Sequence, residues 1–184
     1  MIHFYDSQTL PVSQWRNGGG ETREIISFPP GEQTFSWRLS IATIAADGPF
    51  SLFPGVDRVI TLLSGAGVTL DAPGRYRQLL QPEQPFAFAG EDNIAAQLTG
   101  GISRDFNVMT RRASHQARVT VINTRLAPEA ATAGAVYVLA GEWLSGDITL
   151  KPGQGVWWDC DGSVIEPASP DAALLVTVIT ARMR

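Results

Sequence analysis

Histidine, cysteine and lysine are nearly missing from this chain. Its 184 residues include two histidines, His3 and His115, one cysteine, Cys160, and one lysine, Lys151. A single cysteine excludes an internal disulfide and fits a reducing compartment. The two histidines stand alone, in neither an H-x-H nor an H-x-x-x-H pair, so no metal site has recognisable ligand spacing. Both are expected to face solvent, and Cys160 to act as a small buried apolar side chain. Basic groups are few as well: 14 against 18 acidic ones, a net charge of −4 and a pI of 5.1. A protein that neutralises phosphates needs a basic face, so nucleic acid is not an expected partner. Charged residues make up 17% of the chain, below the roughly 25% of ordinary domains. With 44% hydrophobic residues, the chain has the material for a core and does not read as disordered. Long apolar runs are also absent. The longest, Ala172 to Ala181, falls well short of the ~20 residues that span a bilayer, so no membrane partner is expected. The opening Met1-Ile2-His3-Phe4-Tyr5-Asp6 lacks a basic head followed by an apolar run, so no signal peptide is expected. Together these features predict a cytoplasmic protein.

No twelve-residue segment keeps a capped, 3.6-residue apolar period. Glycine (18) and proline (12) instead punctuate the whole length. Between them lie short segments rich in β-branched and aromatic residues, among them Thr34–Ile44, Val56–Leu63, Asp105–Thr110, Ala135–Ala140 and Ala173–Thr180. Turns every eight to twelve residues around such segments predict an all-β protein, a barrel or a pair of sheets, with very little helix. Ser64-Gly65-Ala66-Gly67 reads as a hairpin. Asp71-Ala72-Pro73-Gly74 starts another reversal, and Lys151-Pro152-Gly153-Gln154 reads as a tight turn feeding a strand. A polar cluster over 111–116 suggests a boundary between residues 1–110 and a shorter unit, 111–184, leaning on the first.

Polar residues are concentrated in four blocks of an otherwise apolar chain. The first is Trp15-Arg16-Asn17-Gly18-Gly19-Gly20-Glu21-Thr22-Arg23-Glu24-Ile25. The second is Trp37-Arg38-Leu39-Ser40-Ile41-Ala42, and the third is Phe50-Ser51-Leu52-Phe53-Pro54-Gly55-Val56-Asp57-Arg58. The fourth is Arg104-Asp105-Phe106-Asn107-Val108-Met109. The glycine run lacks the frame of a phosphate loop, so its backbone is expected to need positive φ or a close approach. An arginine inside an apolar strand must be paired or must face a ligand, since an unpaired buried charge is costly. Two readings are open: internal pairing, for instance Arg58 with Glu21 or Glu24, or ligand binding. Alternation in Trp37–Ile44 puts Trp37, Leu39 and Ile41 on one face and Arg38, Ser40 and Ala42 on the other. It does not say which face lines a pocket.

In this order, the four blocks resemble the signature blocks of the HutD/Ves family, over roughly the first 110 residues. Trp15-Arg16-Asn17 with Phe28-Pro29-Pro30 looks closer to the Ves branch. The resemblance implies a bicupin, two jelly-roll cupin barrels in one chain, with no established catalytic activity. Its HutD members are associated with histidine utilisation and the sensing of urocanate or a formyl- or formimino-glutamate, and its Ves members with stress. A metal cupin would place histidines where this chain has Pro54 and Val56. Its second motif would fall at Pro82–Ala87, which also lacks histidine. The resemblance therefore implies a protein with no metal and no other cofactor.

The preferred expectation is a metal-free, non-catalytic pocket for a small carboxylate metabolite, formed by Trp15, Asn17, Glu21, Thr22, Arg23, Arg38, Arg58 and Asn107. Arginine would supply paired contacts to the carboxylate, Asn107 an amide and Trp15 an apolar wall. The alternative is a metal-independent isomerase or lyase using Glu21 or Glu24 as general base. A third reading takes the low charge as the mark of a subunit interface, and so of a homodimer.

Overall fold

A first strand, β1 (Ile2–Asp6), is followed by ten strands that build one unit, Pro11–His115. These are β2 (Val12–Gln14), β3 (Gly20–Phe28), β4 (Trp37–Ile44), β5 (Gly48–Pro49), β6 (Val56–Ser64), β7 (Val68–Ala72), β8 (Tyr76–Leu79), β9 (Phe86–Ala89), β10 (Ala95–Leu98) and β11 (Ser103–Arg111). Seven more follow: β12 (His115–Ile122), β13 (Ala133–Ala140), β14 (Trp143–Ser145), β15 (Ile148–Leu150), β16 (Gln154–Trp158), β17 (Ile165–Pro167) and β18 (Ala173–Ala181). This computed structural model describes residues 1–183, and among them there is no helix. The all-β expectation holds, for the reason the sequence suggested: turn residues interrupt every apolar run before a helix could form.

In the Pro11–His115 unit, a six-stranded sheet runs β2-β3-β4-β11-β6-β9 and a four-stranded sheet runs β5-β10-β7-β8. Ile44, Ile60, Leu62 and Phe88 of the first pack with Val68, Leu70, Ala72 and Ala96 of the second as one core. Hydrogen bonding leaves these as two sheets and does not close them into a barrel. Asp71–Gly74 makes the reversal between β7 and β8, with Gly74 at φ 77°. Ser64–Gly67 is a turn but not a hairpin, because β6 and β7 lie in different sheets. Gly65 and Gly67, at φ 103° and 131°, carry the chain across.

The other unit joins the chain from Gln116 on with Met1–Leu10. Its sheets run β1-β16-β13-β18-β12 and β15-β14-β17. Val136, Leu174, Val176, Trp143, Leu150 and Ile165 form its core. The structure thus moves the first ten residues out of the span 1–110. The cause is a long-range pairing, Ile2 to Asp6 against Trp158 to Gln154, anchored by buried Tyr5, whose hydroxyl donates to the Val136 carbonyl at 2.8 Å. The turn at Lys151–Gln154 does feed β16, closed by a Gln154 N–H to Lys151 carbonyl bond of 2.9 Å.

Three local expectations need correction. Cys160 is exposed, not buried, since it follows the end of β16 in a polar Asp159-Cys160-Asp161 turn. His3 is half-buried and stacks on Trp157 with ring centroids 4.0 Å apart. His115 is half-buried too, its Nδ1 2.8 Å from the Ser114 hydroxyl.

Candidate functional site

The glycine run makes the loop between β2 and β3. Gly18 takes φ 72°, and the Gly19 N–H donates to Asn17 Oδ1 at 2.8 Å. At Gly20 a side chain is excluded outright: a Cβ would lie 2.2 Å from the Thr43 carbonyl oxygen and 3.0 Å from the Trp15 ring. Both requirements anticipated for the run are met, at different glycines. The loop presents Trp15, whose indole N–H donates to Thr22 Oγ1 at 2.8 Å. Trp15, Asn17 and Thr22 thereby line one side of a cavity of about 470 Å³.

Strand register supplies the rest. Because β3, β4, β11 and β6 are neighbours, residues paired across them stand in rows on one face. One row reads Arg38, Met109, Arg58. The next reads Ser40, Asn107, Ile60, and the third reads Thr22, Ala42, Asp105. All of these line the cavity. The inward face of β4 is therefore the Arg38, Ser40, Ala42, Ile44 face. Trp37, Leu39 and Ile41 on its other face are also buried. With both faces covered, alternation alone could not distinguish them.

Of the eight residues expected at the site, Trp15, Asn17, Thr22, Arg38, Arg58 and Asn107 come together, while Glu21 and Arg23 do not line the cavity. The reason is the two-residue period of β3: Thr22 faces in, so its neighbours face out. Glu21 accepts from Gln14 Nε2 at 3.0 Å, and Arg23 Nε lies 3.7 Å from Glu21. Nor do Glu21 and Glu24 pair with Arg58. Glu24 is bound instead to Arg38, with Nε to Oε1 at 2.8 Å.

Arg58 is 5% exposed, and its Nε has no hydrogen-bond partner. Its guanidinium sits over three rings, 5.0 Å from Phe88, 5.3 Å from Phe50 and 5.4 Å from Phe53. Burial lowers its pKa to about 10, so it stays charged at neutral pH. Asp105 is wholly buried, and neither carboxylate oxygen has a partner. Desolvation raises its pKa to about 7, against the opposing pull of Arg58. Asn107 Oδ1 is likewise buried and unpartnered.

Sequence reasoning missed Asp105, Ser40, Met109, Phe50 and Phe53, although each lies in one of the four polar blocks. For Asp105 the signal was available: it is two residues from Asn107 on one strand, so both must face the same way.

Three arginines, Arg16, Arg38 and Arg58, line the cavity against one carboxyl, Asp105, which favours an anion. The positions where a metal cupin would have histidines carry Pro54 and Val56; neither lines the cavity and neither offers a donor atom. Among the described residues no three His, Cys, Asp or Glu side chains gather as metal ligands, so the residues present do not fit a cupin metal.

An all-β, cupin-like chain with an arginine-lined cavity defines the class of this protein. The chain belongs to the HutD family, whose sequence profile matches residues 7–175. Protein Ves of Cronobacter sakazakii is 44% identical over 180 residues, covering 97% of this chain and 99% of that protein. HutD from Pseudomonas fluorescens SBW25, solved in a formate condition, is 32% identical with a TM-score of 0.83, covering 100% of both chains. A conserved protein of unknown function from Pseudomonas aeruginosa PAO1 matches in fold, with a TM-score of 0.87 at 24% identity, covering 97% of this chain and 98% of that one.

Proposed function

We propose that the cavity of the Pro11–His115 unit binds a small carboxylate metabolite without turning it over, in a cytoplasmic, regulatory or stress-related role. The metabolites that the family resemblance brings forward are urocanate and formyl- or formimino-glutamate. One observation carries the reading: a buried guanidinium, caged by three phenylalanines and lacking an acceptor at Nε, in a cavity of fitting size. An arginine held in one orientation has already lost the side-chain entropy that binding would otherwise cost. In the same proposal each unit is one cupin of a bicupin.

The test is titration calorimetry with urocanate, N-formylglutamate and N-formiminoglutamate on native protein and on Arg58→Gln. Binding by native protein and its loss in the variant support the reading. Absence of heat with all three at millimolar concentration overturns it.

A metal-independent isomerase or lyase is the second reading, with Asp105 in place of Glu21 or Glu24 as its base. Glu21 and Glu24 stand outside the cavity, whereas Asp105 is inside it with a pKa of about 7, suited to general-base work. Chromatographic conversion of a bound carboxylate, lost in Asp105→Asn, would favour it.

A further inference from the structure

The carboxylate reading leaves most of the cavity's unpartnered atoms unexplained. A carboxylate supplies acceptors, and Arg58 Nε is the atom that needs one. Asp105 Oδ1, Asp105 Oδ2 and Asn107 Oδ1 are themselves acceptors, buried and without donors. A buried acceptor left unmatched costs about 1–3 kcal/mol, and more when charged. Two of the cavity's own donors are committed elsewhere: the Trp15 indole N–H to Thr22 and Arg38 Nε to Glu24.

The rows give these atoms a direction. Arg38 and Arg58 flank Met109 at one end of the face, and Asp105 beside Ala42 stands at the other, with Ser40 and Asn107 between. Successive rows are two residues apart along the strand, so the end rows are separated by roughly 13 Å of backbone. The long arginine side chains shorten the gap between the charged groups. The face thus carries positive charge at one end and bare acceptors at the other.

We propose that the ligand is bipolar: its carboxylate meets Arg58 and, at its other end, a protonated nitrogen donates to Asp105 and Asn107. This rests on the carboxylate reading and narrows it, since N-formylglutamate, a dicarboxylate with no protonated nitrogen, falls outside it. An ammonium-type group has several N–H bonds and one positive charge. It can therefore satisfy the acceptors of both side chains while neutralising the one carboxylate in the cavity. A plain monocarboxylate would leave those acceptors bare. A dicarboxylate would bring a second negative end toward Asp105, and would fit only if Asp105 held a proton and donated it.

Three probes of equal chain length separate these cases: 5-aminopentanoate, pentanoate and glutarate, titrated calorimetrically into the whole protein at pH 7. The expected result is that 5-aminopentanoate binds at least about tenfold tighter than either of the others, in line with one charge-assisted contact. In Asp105→Asn that advantage should disappear. Arg58→Gln should weaken all three probes. Pentanoate or glutarate binding as tightly as 5-aminopentanoate to native protein would overturn the bipolar ligand and leave the carboxylate reading standing. Failure of all three probes, together with the three metabolites above, would remove both. The comparison on native protein decides the question even if Asp105→Asn does not fold.

Discussion

Arg58 on β6 and Asp105 on β11 face the same cavity from hydrogen-bonded strands, are 5% and 0% exposed, and form no ion pair with each other. Among the described residues neither has any other ion-pair partner. Each is felt electrically by the other, since Arg58 draws the Asp105 pKa down against a stronger desolvation effect. Burying two charged groups without direct pairing costs stability. Their placement on opposite ends of a cavity face is what a ligand with two charged ends would exploit.

The two cavity arginines should therefore respond differently to substitution. Arg58→Gln should lose roughly ten- to a hundredfold in carboxylate affinity, the worth of a charge-assisted contact. Its melting temperature should fall by no more than a few degrees, because the desolvation of a buried cation without an ion-pair partner offsets the ring contacts that are lost. Arg38→Gln strands Glu24, which is about half exposed (47%), so its stability cost should be small. Its effect on affinity should be the smaller of the two, because Glu24 already holds its Nε. Calorimetry and thermal melts on both variants check this. A collapsed melt for Arg58→Gln would show that its role is structural.

Asp105 should make stability depend on pH in one direction. In the unfolded chain its carboxyl titrates near 3.8, and in the folded chain near 7. The folded state therefore binds more protons between these values. The favourable contribution is fully present below about pH 4 and is lost as pH rises to about 7. The charged group that acts on Asp105 across the cavity, Arg58 from β6, keeps its charge throughout this window. Asparagine does not titrate, so the melting temperature of native protein minus that of Asp105→Asn should fall between pH 4 and 7 and level off above. A difference that stays constant from pH 4 to 8 would show that the folded carboxyl titrates at its ordinary value.

Gly20→Ala should destabilise the Pro11–His115 unit. Its Cβ would overlap the Thr43 carbonyl and press on the Trp15 ring, an overpacking that costs about 1–3 kcal/mol. At roughly 2–4 °C per kcal/mol for a chain of this length, differential scanning calorimetry should show a clear drop. Gly18→Ala, which meets no atom within 4 Å but keeps φ 72°, should cost less, about 1 kcal/mol.

Phe53→Leu should loosen the cage around Arg58 while leaving the fold intact, since Phe53 is only half-buried. Losing one cation–π contact of about 0.5–2 kcal/mol should weaken carboxylate binding by a few-fold to about thirtyfold. Dissociation-constant measurements beside Arg58→Gln would place the two effects on one scale. No change in affinity would mean that Phe50 and Phe88 hold the guanidinium without it.

The local order of the chain was readable from its residues. Short β-branched segments and turn residues dictated an all-β protein, because those signals act between near neighbours. The four polar blocks marked where the site lies, since a charge within an apolar strand needs a special environment. The need for a bare glycine was local and legible at Gly18, whereas at Gly20 it comes from the Thr43 carbonyl of β4. What only the tertiary structure decided was every relation between distant strands. Which face of β4 looks inward, why Thr22 belongs to the cavity and Glu21 does not, and that Ile2–Asp6 pairs with β16 all depend on register between segments far apart in sequence. A one-residue slip in register exchanges the faces of a strand, so the composition of β3 or β4 could not fix them. The same holds for Asp105. Its sequence neighbourhood shows a carboxyl on a strand; only the closing of two sheets around that strand buries it and sets it facing the same cavity as Arg58.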